Sequence, residues 1–272
     1  MFRTLTIATL AVATVSTAAM AKDTLYIVNS ASAGGSYNAQ SVAYAQGLED
    51  VYKIEYIHAK GCTKSAQVID KILSNGGQVI ALYGSSFKGD DCAKIAPTQD
   101  NFLYTNAKVG LIFSLKDDAD DNVVAGSTMA FNGNKEDEVI APIEAANGID
   151  IKTVRYKNSK EVVLAVKNGE TEFGVVESAK NFYKNVDILE AHYNLSDDTF
   201  EGIPSVVSIG GSPMYAHDTW LYHGSNIESV RAEMQKVFNN PESAIAKWQS
   251  GIKGYSTTFN MGRLDGWNKY FN

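Results

Sequence analysis

No Walker A loop, His-Glu-x-x-His pair or Gly-x-Ser-x-Gly elbow occurs in this sequence. The common signatures of nucleotide hydrolysis, zinc proteolysis and the α/β-hydrolase nucleophile are therefore missing. Positive charge is in deficit, with 24 basic residues against 31 acidic ones and a formal net charge of −7. That balance argues against nucleic acid or an anionic membrane surface as partner. The four histidines, His58, His192, His217 and His223, are not spaced as a metal pair. Cysteine is limited to Cys62 and Cys92. In an oxidising compartment such an isolated pair is expected to be a disulfide. It would close a loop of about thirty residues, worth roughly 3–4 kcal/mol in the chain-entropy model. His58, four residues before Cys62, opens a metal reading but lacks a fourth ligand at sensible spacing. Neither a cofactor nor a metal is expected.

Long apolar runs are also lacking after the first twenty residues. The start itself carries one positive charge, Arg3, then an apolar or small stretch from Leu5 to Val15 and a small-x-small exit at Ala19-Met20-Ala21. This is the pattern of a cleaved secretory signal over residues 1–21 and is too short for a membrane span. Removing Arg3 takes the net charge from −7 to −8. A soluble exported protein is expected, with the bacterial periplasm as its compartment and no membrane insertion after cleavage.

What is present is an alternation of strand-like and helix-like patterns. Leu25–Asn29, Lys53–Ile57 and Val79–Tyr83 read as strands, with helical spacing at Val42, Ala45 and Leu48 and again at Val68, Ile69, Ile72 and Leu73. That order predicts a parallel sheet with right-handed crossovers. A second block repeats it: strands at Lys108–Leu115, Val123–Ala125, Ile151–Tyr156 and Phe173–Val176, with helices after Asn134 and Ser159. Pro142 falls inside the first of these helices, where a bend is expected. A strand at Thr219–His223 and a helix at Ile227–Phe238 follow. The expected architecture is α/β with two lobes: lobe I from 22–112 plus 224–272, lobe II from 113–223, and two crossing strands near Phe113 and Trp220. Ligands of open α/β sheets sit beyond the carboxyl ends of the strands, which two lobes can turn toward one cleft.

Three turns join glycine to serine or threonine: Ala33-Gly34-Gly35-Ser36-Tyr37, Gly84-Ser85-Ser86 and Ala125-Gly126-Ser127-Thr128. Each is read as leaving a strand. Glycine lets the backbone approach a ligand, and amide and hydroxyl donors hold an oxyanion without Arg or Lys. The same serines could simply cap helices.

These pieces resemble the substrate-binding proteins of tripartite tricarboxylate transporters, the TctC-like or Bug family. The Ala33–Ser36 turn, "ALYGSSFKGD" at 81–90, Gly126–Thr128, "VRYKNSKEVVLAVKNGETEFGVVESA" at 154–179 and "GIPSVVSIGG" at 202–211 stand in the family's order over nearly the whole mature chain. Arg155 and Asn158 depart from the family's Pro and Gly, and the cysteine pair is not part of its pattern. The resemblance implies a type II periplasmic binding protein that captures a small carboxylate and hands it to a membrane permease. It implies carboxylate donors at Gly35, Ser36, Ser85, Gly126, Ser127 and Thr128, with Ser86 beside them, walls at Tyr37 and Tyr156, and an acidic position at Glu177. Three alternatives stay open. One is a binding protein for another anion such as phosphate, serving an ABC transporter. Another is a receptor reporting occupancy to a membrane sensor. The third is a periplasmic serine hydrolase built from Ser36 or Ser127 with His192.

Overall fold

A computed structural model describes residues 22–30, 36–84, 92, 95–117, 122–132, 136–214, 216–251 and 253–259. The expected signal segment and the aromatic residues Trp267 and Phe271 lie outside them.

Two separate sheets form. The first contains β1 (Thr24–Asn29), β2 (Lys53–His58), β3 (Gln78–Gly84), β4 (Phe102–Lys108), β10 (Ala216–His223) and β11 (Tyr255–Thr258), in the order β11-β4-β10-β3-β1-β2. β1 runs parallel to both β2 and β3, as the strand–helix–strand pattern requires, and β10 runs antiparallel to β3 and β4. Side chains alternate between two buried faces. Leu25, Ile27, Ile80 and Leu82 pack with Tyr44, Tyr104 and Trp220 beneath α1 (Ser36–Leu48), α6 (Ile227–Asn239) and α7 (Ala244–Ser250). Val28, Val79 and Ala81 face the other way, toward α2 (Cys62–Ser74) and its Ile69 and Ile72. A sheet covered on both faces explains why these strands read as continuous apolar runs.

The second sheet contains β5 (Leu111–Leu115), β6 (Thr128–Asn132), β7 (Lys152–Arg155), β8 (Phe173–Val176) and β9 (Leu189–Asn194), in the order β7-β6-β8-β5-β9. α3 (Glu136–Asn147) covers one face through Val139, Ile140 and Ile143, and continues through Pro142. α4 (Ser159–Lys167) and the short α5 (Lys180–Tyr183) cover the other through Val162, Val166 and Phe182. Asn158 rather than Ser159 caps α4, its side chain accepting from the amides of Lys160 and Glu161.

Two expectations about the lobes need correction. The apolar stretch read as one strand, Lys108–Leu115, is two: β4 ends at Lys108 in the first sheet and β5 starts at Leu111 in the second, so the chain crosses at Val109-Gly110. Gly110 is required there, because a Cβ on it would stand 2.6 Å from both Leu195 Cδ1 and the Val176 carbonyl. The return crossing precedes Ala216, and β10 lies wholly in the first sheet. A lobe II ending at 223 therefore assigns this strand to the wrong sheet. Its partners are β3 and β4, which no local pattern in 216–223 announces.

Cys62 and Cys92 form the disulfide, with Cα atoms 4.9 Å apart. Oxidation of Cys62 removes the metal reading that His58 had opened. Among the described residues no helix is long and apolar enough to cross a membrane.

Candidate functional site at the lobe crossing

Several strand ends meet where the chain changes lobe. β1 ends at Asn29 and α1 begins at Ser36; β3 ends at Gly84; β4 ends at Lys108; β10 arrives with Asp218 opposite Gly84 and Ala216 opposite Lys108. From the other lobe β8 ends at Val176, beside the start of β5, and delivers Glu177 and Ser178.

At the centre lies a buried ion pair. The Lys108 ammonium donates to Asp218, and both side chains are almost wholly enclosed, 6% and 3% exposed. Burial works against the ammonium, but Asp218 and Tyr37 outweigh it and hold the Lys108 pKa well above its ordinary value. Tyr37, the second residue of α1, lies against the pair with its ring centroid 4.2 Å from Lys108 Nζ. Both charges act on its hydroxyl, Asp218 against its ionisation and Lys108 in favour of it. Burial, then Asp218, push that hydroxyl far above the usual phenol range. Gly84 makes room for it: a Cβ there would stand 3.1 Å from the Tyr37 oxygen. The acidic field of Glu177, on the other lobe, also reaches Tyr37 as the weakest of these influences.

Backbone and side-chain bonds tie the lobes beside it. The Val109 amide donates to the Gly254 carbonyl and the Ala179 amide to the Val109 carbonyl, each at 2.9 Å. The hydroxyls of Ser178 and Tyr255 are 3.2 Å apart. Lys180 Nζ stands 5.9 Å from the Trp248 ring, and burial lowers its pKa.

The structure separates the expected site residues. Tyr37 lies against Lys108 at the crossing, and Glu177 directly follows β8 of the other lobe. Gly35, Ser85 and Ser86 lie outside the described residues, and of Ser36 only its place as the first residue of α1 is described. Gly126, Ser127 and Thr128 are a correction. Gly126 and Ser127 precede β6 and Thr128 opens it, instead of following a strand, because Val123–Ala125 is not one. The lobe-crossing end of β6 is Asn132, paired with Val176, four residues or about 13 Å from Thr128. At their own end the turn is self-satisfied: Ser127 Oγ accepts from the Val124 amide at 3.0 Å, and Thr128 exchanges bonds with Glu172. Tyr156 stands beside the lobe-crossing end of β6, its amide donating to the Phe131 carbonyl at 2.9 Å, while its hydroxyl donates to Glu170 in the turn before β8. In sequence, Asn132 is followed by Gly133-Asn134-Lys135 and then by the acidic first turn of α3.

The Ser127–His192 pairing of the hydrolase reading loses its geometry. His192 Nε2 meets Ser114 Oγ at 2.7 Å, and Ser114 is 1% exposed. Ser127 belongs to the β6 end of the sheet, three strands or about 14 Å from β9, where His192 lies.

Lys108, Asp218 and Tyr255 were not anticipated. Each charged residue of the pair is a lone charge in a run that otherwise reads as strand, "YTNAKVGLIFS" and "YAHDTWLYH". A lone charge in a covered strand must find a partner or pay for desolvation, which is the clue that was available.

No family model matches the chain, and no curated protein matches it. Solved structures do. A TctC solute-binding protein from Polaromonas, without ligand, superposes with a TM-score of 0.67 at 13% identity, over 92% of this chain and 95% of that one. An R. palustris protein solved with adipate gives 0.59 at 10% identity, over 93% and 94%. The periplasmic binding protein BugD gives 0.55 at 13%, over 92% and 94%. The chain thus has the two-lobed type II periplasmic binding protein fold. Within that class its architecture is like that of the TctC and Bug binding proteins.

Proposed function

We propose that this chain is an extracytoplasmic solute-binding protein, exported to the periplasm behind a cleaved signal over residues 1–21, that captures a small carboxylate between its lobes and delivers it to a permease of the tripartite tricarboxylate type. Support comes from the convergence at the crossing: α1 starts at Ser36, β3 ends at Gly84 before two serines, Tyr37 lies against Lys108 at the end of β4, and Glu177 directly follows β8, which ends beside the start of β5. Amides and hydroxyls of Gly35, Ser36, Ser85 and Ser86 would hold the carboxylate, with Tyr37 as a wall. Glu177 would receive a donor group of the ligand or its water. The R. palustris neighbour solved with adipate is consistent in ligand class. A ligand touching both lobes favours their closure by its difference in affinity for the closed and open states.

The test is a thermal-shift and calorimetric screen of residues 22–272 with adipate, succinate, citrate, glutamate and inorganic phosphate. A ligand at a hundred times its Kd stabilises by about 2.7 kcal/mol, a rise in Tm of about 5–10 °C for a chain of this size. The Ser36→Ala/Ser85→Ala variant should lose that shift and keep its unliganded Tm. A shift with phosphate alone would replace the carboxylate reading, and no shift with any of the probes would overturn it.

A further inference from the structure

We propose that Lys108 and Asp218 are positioning residues for the interlobe site: they hold Tyr37 rigidly at the crossing, and thereby set the site's affinity for its ligand without touching it. The inference rests on the function proposed above and adds to it the residues that fix the wall.

A buried ion pair is an expensive way to fill a core. Desolvating both charges offsets most of their attraction, and a well-packed apolar pair of similar volume is often as stable or more so. Lys108 and Asp218 are both almost wholly enclosed, so the pair is poorly explained by folding stability alone. Its placement is informative. Lys108 is the last residue of β4, directly before the first crossing, and Asp218 is the third residue of β10, directly after the second. The two crossings are thus joined by one charge-assisted contact between residues 110 positions apart. Tyr37 completes the group: its ring centroid lies 4.2 Å from the ammonium, and its hydroxyl fills the space left by Gly84 within the field of both charges. The ammonium is held against the ring by its carboxylate partner, so the ring keeps this cation–π contact only while both charges are present. An apolar pair would fill the same space and leave the ring free to rotate.

The test compares the Lys108→Met/Asp218→Leu variant with the parent chain, each with and without Tyr37→Phe. Expected are an unchanged or higher unliganded Tm in the double variant, and an affinity for the best carboxylate probe weaker by about tenfold or more. Tyr37→Phe should weaken binding in the parent and have no further effect in the double variant. Equal affinity in parent and double variant, or the same cost of Tyr37→Phe in both, would overturn the proposal. A ligand-free measurement separates this from failure of the carboxylate reading. Amide exchange at Tyr37–Gln40, the first turn of α1, should accelerate about tenfold in the double variant while the second half of α1 is unchanged. If no probe binds the parent chain, the proposed function falls, and unchanged exchange at that turn then overturns the positioning role as well.

Discussion

Gly174→Ala tests how tightly the second sheet is packed behind the crossing. Gly174 lies in β8, three residues before Glu177, and faces Phe113 on the neighbouring β5. A Cβ at this position would stand 2.5, 2.8 and 3.0 Å from three carbons of the Phe113 ring. Carbon atoms settle at about 3.5–4.0 Å, so the ring must retreat by about 1 Å. It has nowhere convenient to go, since Phe113 is fully enclosed and lies 5.5 Å from the Phe182 ring. Overpacking of this kind costs about 1–3 kcal/mol. The lower entropy of the unfolded alanine chain returns about 0.4–1 kcal/mol. A net loss of about 1–2 kcal/mol should lower Tm by about 2–8 °C. Urea unfolding of the parent, Gly174→Ala, Phe113→Leu and the combined variant forms a double-mutant cycle. Phe113→Leu opens the space the new methyl needs, so the combined variant should be more stable than the sum of the single losses by about 1 kcal/mol or more. A Gly174→Ala variant as stable as the parent, or strictly additive losses, would refute the packing argument.

Two further perturbations address other parts of the molecule. Replacing both cysteines by alanine should cost about 3–4 kcal/mol in urea unfolding, because the disulfide closes a loop with a sequence separation of 30; a loss below about 1 kcal/mol would contradict the loop-entropy account. His223, at the end of β10, has its pKa lowered by burial against a smaller opposing influence of Asp70. A folded pKa below the ordinary 6.5 means that the unfolded chain binds the proton more readily. The stability held by the neutral ring is therefore full above that value and lost as pH falls through the folded pKa. Tm measured from pH 8 to pH 5 should fall more steeply in the parent than in His223→Gln, and parallel curves would refute the assignment.

Local patterns carried much of the fold. β1, β2 and β3, with α1 and α2 between them, could be read from apolar runs, helical spacing and the glycines around them, and the parallel order followed from the connections. The segment 108–115 misled because both of its halves are covered strands. An apolar run carries the same pattern whether its residues face one sheet or two, and only pairing partners show that it is divided. The Gly126–Thr128 turn misled for a related reason. Its small residues suit either end of a strand, and the pairing of Thr128–Asn132 with β7 and β8 decides which.

Sequence alone determined the types of most elements, the twofold alternation of strands and helices, and the cysteine pair, because these depend on short-range periodicity and on a choice with only one partner. Tertiary structure decided which strand ends face the crossing, and it brought Tyr37, Lys108 and Asp218 into one buried group. Those residues are joined by pairings between segments far apart in the chain. Their proximity is a property of sheet order and register, for which no local run of side chains carries a signature.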